Sequence, residues 1–230
     1  MDRLPVNAPA ADGRVVALPG VVAASAQRVL RNTYLLLSTT LMFSAACAAV
    51  SMQLRLPYPG ILLTLVGYYG LFFAIMKLRA SAWSVALVFA LTGFMGYTLG
   101  PILNLYMKAI PNGGSVIMSA VGITGLTFLA LSAYAVTTRK NFRFMTSFLF
   151  IGVLTAFLLG LAAVLFHLPG LSLAVAGLFV LLSSGLILWQ TSEIVNGGET
   201  NYVLATVGLY VQIFNLFTSL LQLLGYSSRS

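Results

Sequence analysis

Long apolar runs separated by short polar breaks fill the chain from residue 34 to residue 224, and within that stretch the breaks carry almost all of the charge. Seven runs stand out: residues 34–52, 60–76, 82–106, 115–137, 144–166, 171–195 and 202–224. A hydrocarbon core about 30 Å thick takes roughly 20 residues of helix, and backbone polar groups within it must be satisfied inside the segment itself. Each run is continuous instead of alternating, which predicts helices and not the strands of a barrel. The pattern predicts an all-α integral membrane protein with seven transmembrane helices.

The breaks at residues 54–59, 77–81, 107–114, 138–143, 167–170 and 196–201 are too short to hold a soluble domain. One transmembrane domain, residues 28–230, is therefore expected behind a flexible tail, residues 1–27, which mixes Pro, Ala, Gly and charge without helical period. Residues 24–30 also fit a short interfacial helix. The first run begins after a segment too long and too polar for a cleavable signal, so it reads as a signal anchor.

Composition agrees, with 60% hydrophobic and 7% charged residues. A net charge of +8 raises the question of nucleic acid, but the 12 Lys and Arg are scattered over the two chain ends and the breaks and form no stripe. The bilayer is the expected partner instead. Arg3, Arg14, Arg28, Arg31, Lys77, Arg79, Arg139, Lys140 and Arg143 fall on one side of the membrane, and Arg55, Lys108 and Arg229 on the other. The positive-inside rule then predicts a cytoplasmic amino terminus and, after seven crossings, a carboxyl terminus on the far side. Cys47 is alone, so no intramolecular disulfide forms, and it reads as a small core residue.

Polar residues inside the runs mark the candidate sites. Gly208, Gln212, Asn215, Ser219 and Gln222 recur at spacings of four, three, four and three, which places them on one face of the last helix. Such a face does not belong against lipid; it either hydrogen-bonds to neighbouring helices or lines a wet pathway. Trp189, Gln190, Thr191, Ser192 and Glu193 form a second polar cluster at the end of the sixth run. Glu193 is an ionisable residue beside a spanning segment, and such residues are functional candidates unless the helix end brings them to water. Gly93, Gly96 and Gly100, followed by Pro101, read first as a close-packing face and second as a kink.

Several chemistries are excluded. One His and four acids, with Asp2 and Asp12 in the tail, supply no converging metal ligands and no intramembrane aspartyl pair. His167 stands in a short break beside Pro169 and no activated serine accompanies it. Lys77, Lys108 and Lys140 all lie at breaks, so no Schiff-base lysine sits within a helix, and Asn112, Gly113 and Gly114 read as a turn. No catalytic residue, cofactor or metal is expected, and the protein does not read as an enzyme.

Four runs of sequence carry a family resemblance: Leu30-Arg31-Asn32-Thr33-Tyr34; Thr92-Gly93-Phe94-Met95-Gly96-Tyr97-Thr98-Leu99-Gly100-Pro101; Ser132-Ala133-Tyr134 with Thr138-Arg139-Lys140; and Gly197-Gly198-Glu199-Thr200-Asn201-Tyr202. Through them the chain from about residue 28 to residue 228 resembles the Bax inhibitor family, the transmembrane Bax-inhibitor-motif proteins. The resemblance implies six helices around a central seventh. It also implies a place in a bacterial inner membrane, with the carboxyl terminus periplasmic, and a role as modulator of the membrane-anchored, ATP-dependent protease FtsH. Some bacterial members leak calcium in a pH-dependent way through paired acids on the last two helices. The corresponding positions here are Gln190 and Gln212, which neither titrate nor supply charge to a hard cation. Glu193, one turn beyond Gln190, offers a single carboxylate, a poor calcium site. The alternative expectation is thus a calcium leak with altered or absent pH sensing, along Asn215, Ser219 and Gln222.

Overall fold

The computed structural model describes residues 7–9, 15–17 and 19–228, with side chains described from residue 24. The expected flexible tail lies partly outside the described residues, as do Asp2, Arg3, Asp12, Arg14 and Arg229. Two short antiparallel strands, β1 (Asn7–Pro9) and β2 (Val15–Ala17), pair with Ala8 opposite Val16. Seven long helices follow: α1 (Pro19–Gln53), α2 (Ile61–Leu78), α3 (Trp83–Ala109), α4 (Gly113–Thr138), α5 (Thr146–Leu165), α6 (Pro169–Val195) and α7 (Tyr202–Ser227). A single 3₁₀ turn, Arg143–Met145, leads into α5. All seven are long and apolar enough to cross a membrane, one for each apolar run.

Helix α1 begins well before its apolar run. Pro19 opens it, at a position where the missing N–H costs nothing. Ala26 and Thr33 are buried, and Val29 and Leu30 pack against the core, so these residues form a helical face that continues the apolar stripe past Arg28 and Arg31. A hydropathy window averages over that face and its charged opposite, which is why the run alone starts late.

The bundle is built around α7. Half of the most apolar stretch of α7 is buried, against 6% of that of α2. Ala205, Thr206, Val207, Leu209, Tyr210, Leu216 and Leu221 are all closed off inside the bundle. Around it stand α1, α3, α4 and α6, while α2 packs chiefly on α3 and α5 chiefly on α6. The outer faces of α2 and α5 carry exposed Leu62, Val66, Phe73, Phe148, Phe150 and Leu165, the side chains a hydrocarbon solvent accepts.

The seam between α1 and α3 is the closest. A side chain at Gly96 would collide with the backbone carbonyl of Ser44, and one at Gly100 with Ser51 and the carbonyl of Ala48. Small residues let the two backbones approach, as helix pairs in lipid require because no hydrophobic gain drives them together. Of the two readings of this glycine face, packing is the one observed. Helix α3 continues through Pro101 to Ala109.

Candidate functional site

The polar residues singled out in the sequence fall along the α6–α7 seam and at one of its ends. That end holds the α2–α3, α4–α5 and α6–α7 connections. Asn201 caps α7: its Oδ1 accepts from the N–H groups of Val203 at 2.9 Å and Leu204 at 3.2 Å, satisfying donors that a helix start leaves free. Its Nδ2 donates to the carbonyl of Arg79 at 3.0 Å, and its own N–H is taken by Glu199 Oε1 at 2.8 Å. One asparagine thus joins the central helix to the α2–α3 connection.

Glu193 is held in this network. Arg143 Nε donates to its Oε1 at 2.8 Å and Nη2 to its Oε2 at 3.2 Å, a two-pronged pairing matched to carboxylate geometry. The Glu193 side chain is 14% exposed and that of Arg143 is 59% exposed, so the carboxylate is the sheltered partner. Gly197 turns the chain at a φ of 74°, and the N–H of Gly198 then donates to the carbonyl of Glu193 at 2.8 Å. A Cβ at Gly198 would strike both the carboxylate and the guanidinium. Beside them, Ser192 Oγ donates to the carbonyl of Lys140 at 2.7 Å, and Asn196 Nδ2 donates to the Ser192 carbonyl at 2.9 Å. The α4–α5 connection is therefore stitched to the end of α6 by both charge and hydrogen bonds.

Along the seam itself, the Gln190 amide lies over the bare face of Gly208, where any side chain would collide with it, and Nε2 reaches the carbonyl of Ala205 at 3.4 Å. At the far end Gln222 Nε2 donates to Ser172 Oγ of α6 at 2.6 Å. The stripe on α7 therefore faces α6. Between these anchors Ser219 is buried, while Gln212 and Asn215 are half-buried with no side-chain hydrogen bond among the described residues. Gln190 and Gln212 do not bond to each other. Among the described residues no three His, Cys, Asp or Glu come together as a metal would need. His167 is exposed in the α5–α6 connection.

Sequence reasoning did not find Arg143 as the partner of Glu193. The signal available was general: a sheltered acid needs a cation, and Arg139, Lys140 and Arg143 are all at this end. Trp189 and Thr191 of the polar cluster at the end of α6 each bury a polar atom that has no partner among the described residues, and so do Thr33, Tyr34, Ser132 and Ser183, which the pattern did not single out. Hydroxyls within apolar runs give no indication of their depth.

The family model for the inhibitor of apoptosis-promoting Bax1 matches residues 26–229. An uncharacterized protein of Pseudomonas aeruginosa is 56% identical over 86% of this chain and 88% of its own. The modulator of FtsH protease YccA of Escherichia coli K12 is 50% identical over 89% of this chain and 93% of its own. An uncharacterized membrane protein of Vibrio cholerae is 44% identical over 86% and 89%. With seven membrane-length helices, α7 at their centre, and a match across nearly all of its length, the chain belongs to the family of the inhibitor of apoptosis-promoting Bax1.

Proposed function

We propose that this protein is an inner-membrane modulator of the membrane-anchored, ATP-dependent protease FtsH, one that restrains the degradation of other membrane proteins and does no catalysis itself. The observation that carries the reading is the 50% identity to the Escherichia coli modulator over 89% of the chain. The amino terminus lies in the cytoplasm and the carboxyl terminus in the periplasm, by the division of Lys and Arg between the two sides. On that orientation the end bearing Arg143, Glu193 and Asn201 is cytoplasmic, the side on which the tail emerges.

The mechanism we infer is competitive. The tail offers a segment for the protease to engage, and the bundle resists extraction. Pulling on the amino terminus loads α1, whose seam with α3 is the tightest in the molecule, while the stitched connections hold the remaining helices together. A substrate that engages but does not yield occupies the protease. Affinity capture of the tagged protein from membranes tests the reading: FtsH is expected in the bound fraction, and an FtsH-reported membrane substrate should rise in steady-state level when the protein is overproduced. Absence of both effects sinks it.

A second reading, a calcium leak along the α6–α7 seam, has one observation in its favour: Gln212 and Asn215 lack side-chain partners among the described residues. The neutral amides at 190 and 212 weigh against it, since neither binds a hard cation strongly nor titrates. Calcium-dye flux in liposomes separates the two readings, with no pH-dependent flux expected.

A further inference from the structure

A second feature of the bundle lies away from the α6–α7 seam. Helices α1 and α4 both pack on α3 and α7 but make little contact with each other. The gap between them is a cavity of about 450 Å³. Ala45 and Ala49 on one rim, and Val121 and Gly125 on the other, are exposed, so the cavity opens sideways toward the hydrocarbon. Its floor is Tyr210 and Phe217 of α7.

Three properties select the occupant. Water is disfavoured because every hydroxyl lining the cavity is already used: Ser44 Oγ and Tyr210 OH bond to each other at 2.6 Å, Tyr210 OH also donates to the Thr92 carbonyl, and Thr124 Oγ1 donates to the Ala120 carbonyl. Apart from those hydroxyls the lining is apolar, from Leu41 and Ala45 on α1 to Ile213 and Phe217 on α7. The cavity follows α1 from Leu41 to Met52, which at 1.5 Å per residue is about 16 Å. Its length is about half of a hydrocarbon core of about 30 Å, the depth of one leaflet. A single acyl chain fits all three.

Charge points to the kind of lipid. Asn104 Nδ2 donates to the Met52 carbonyl at 2.8 Å, which fixes the end of the cavity against α3. Exposed Arg55 stands three residues beyond Met52 and exposed Lys108 one turn beyond Asn104, and no Asp or Glu among the described residues is at this end of the bundle. We propose that the α1–α4 cavity binds one acyl chain of an anionic phospholipid, with the phosphate met by Arg55 and Lys108. The site does not depend on the protease reading.

Photo-crosslinking tests it with the intact protein. The full chain is reconstituted in vesicles of phosphatidylethanolamine containing phosphatidylglycerol with a diazirine on its acyl chain, and labelled peptides are mapped. Labelling should concentrate on residues 41–52 and 117–128, above the more exposed α2 and α5. Ala49→Phe and Gly125→Leu, which fill the cavity, should abolish that excess, and Ala46→Phe, exposed on α1 outside the lining, should leave it. Arg55→Gln with Lys108→Gln should remove the preference for phosphatidylglycerol over a phosphatidylcholine probe without moving the labelled residues. Labelling that follows exposure alone, an excess that survives both filling variants, or capture of a second copy of the chain by the cavity peptides would overturn the acyl-chain site. An undiminished preference in the Arg55 and Lys108 variant would overturn the phosphate contact.

Discussion

Ser51 on α1 donates its hydroxyl to the carbonyl of Tyr97 on α3 at 2.9 Å. That carbonyl is the acceptor residue 101 would fill in an unbroken helix, and Pro101 has no N–H to give. A side chain from the neighbouring helix thus replaces a missing backbone bond inside the membrane, where an unfilled carbonyl has no water to turn to. Gly100 makes it feasible, since a Cβ there would occupy the space of the Ser51 hydroxyl.

The replacement can be measured as a coupling. Ser51→Ala should lower stability by about 1 kcal/mol, the size of one hydrogen bond. In a Pro101→Ala background, where the backbone donor returns, the same change should cost markedly less. Unfolding of the detergent-purified protein measures both, and equal costs in the two backgrounds would show that Ser51 does not serve the proline gap.

Two glycines make opposite predictions. Gly96→Ala meets the Ser44 carbonyl, a backbone atom that yields only if α1 and α3 part, and should cost about 1–3 kcal/mol. Gly122→Ala on exposed α4 meets nothing within 4 Å and should leave stability unchanged or raise it by up to about 1 kcal/mol. Thermal midpoints of the two variants decide the matter; a tolerated Gly96→Ala would mean that the seam is looser than described.

The Arg143–Glu193 pair should respond asymmetrically. Removing the exposed partner by Arg143→Gln leaves a sheltered carboxylate unpaired, whereas Glu193→Gln leaves a guanidinium that can turn to water. Arg143→Gln is therefore expected to lower the unfolding midpoint more than Glu193→Gln, and the double variant should recover part of the loss. The opposite order would place the sheltered charge on the arginine.

Orientation has a simple readout. A reporter active only in the periplasm should work when fused after Ser230 and be silent when fused after Arg79. The reverse pattern overturns the proposed orientation, and with it the cytoplasmic placement of the stitched connections.

The competitive mechanism rests on the tail as a handle. Deleting residues 1–18, which lie before α1, should lengthen the lifetime of the protein and weaken its inhibition of FtsH in trans, and an unrelated flexible sequence of equal length should restore both. If the shortened protein is turned over as quickly and inhibits as well as the intact one, contacts between membrane segments become the better account of the inhibition.

Seven crossings are readable from the chain because insertion depends on a local sum: about 20 apolar residues in succession favour a spanning helix whatever their neighbours are. The amphipathic face of α7 is readable for the same reason, since the spacing of Gln212, Asn215, Ser219 and Gln222 is a property of one helix. The direction that face takes is not. That Gln222 meets Ser172 and Gln190 covers Gly208 follows from the antiparallel packing of α6 on α7, which no spacing encodes.

Charge shows the same division. Lys and Arg counted by side carry the proposed orientation, because the rule sums over loops. The choice of Arg143 over Arg139 or Lys140 as partner of Glu193 joins residues 50 apart and was made by the stitching of the α4–α5 connection to α6. The α1–α4 cavity is further still from the sequence. Ala45, Ala49 and Gly125 look like ordinary helix residues, and their small size becomes an opening only because α3 and α7 hold α1 and α4 apart. Local free energies set which segments cross; the packing of crossed segments, a non-local balance of shape and hydrogen bonding in a solvent that rewards neither helix over the other, settled what they enclose.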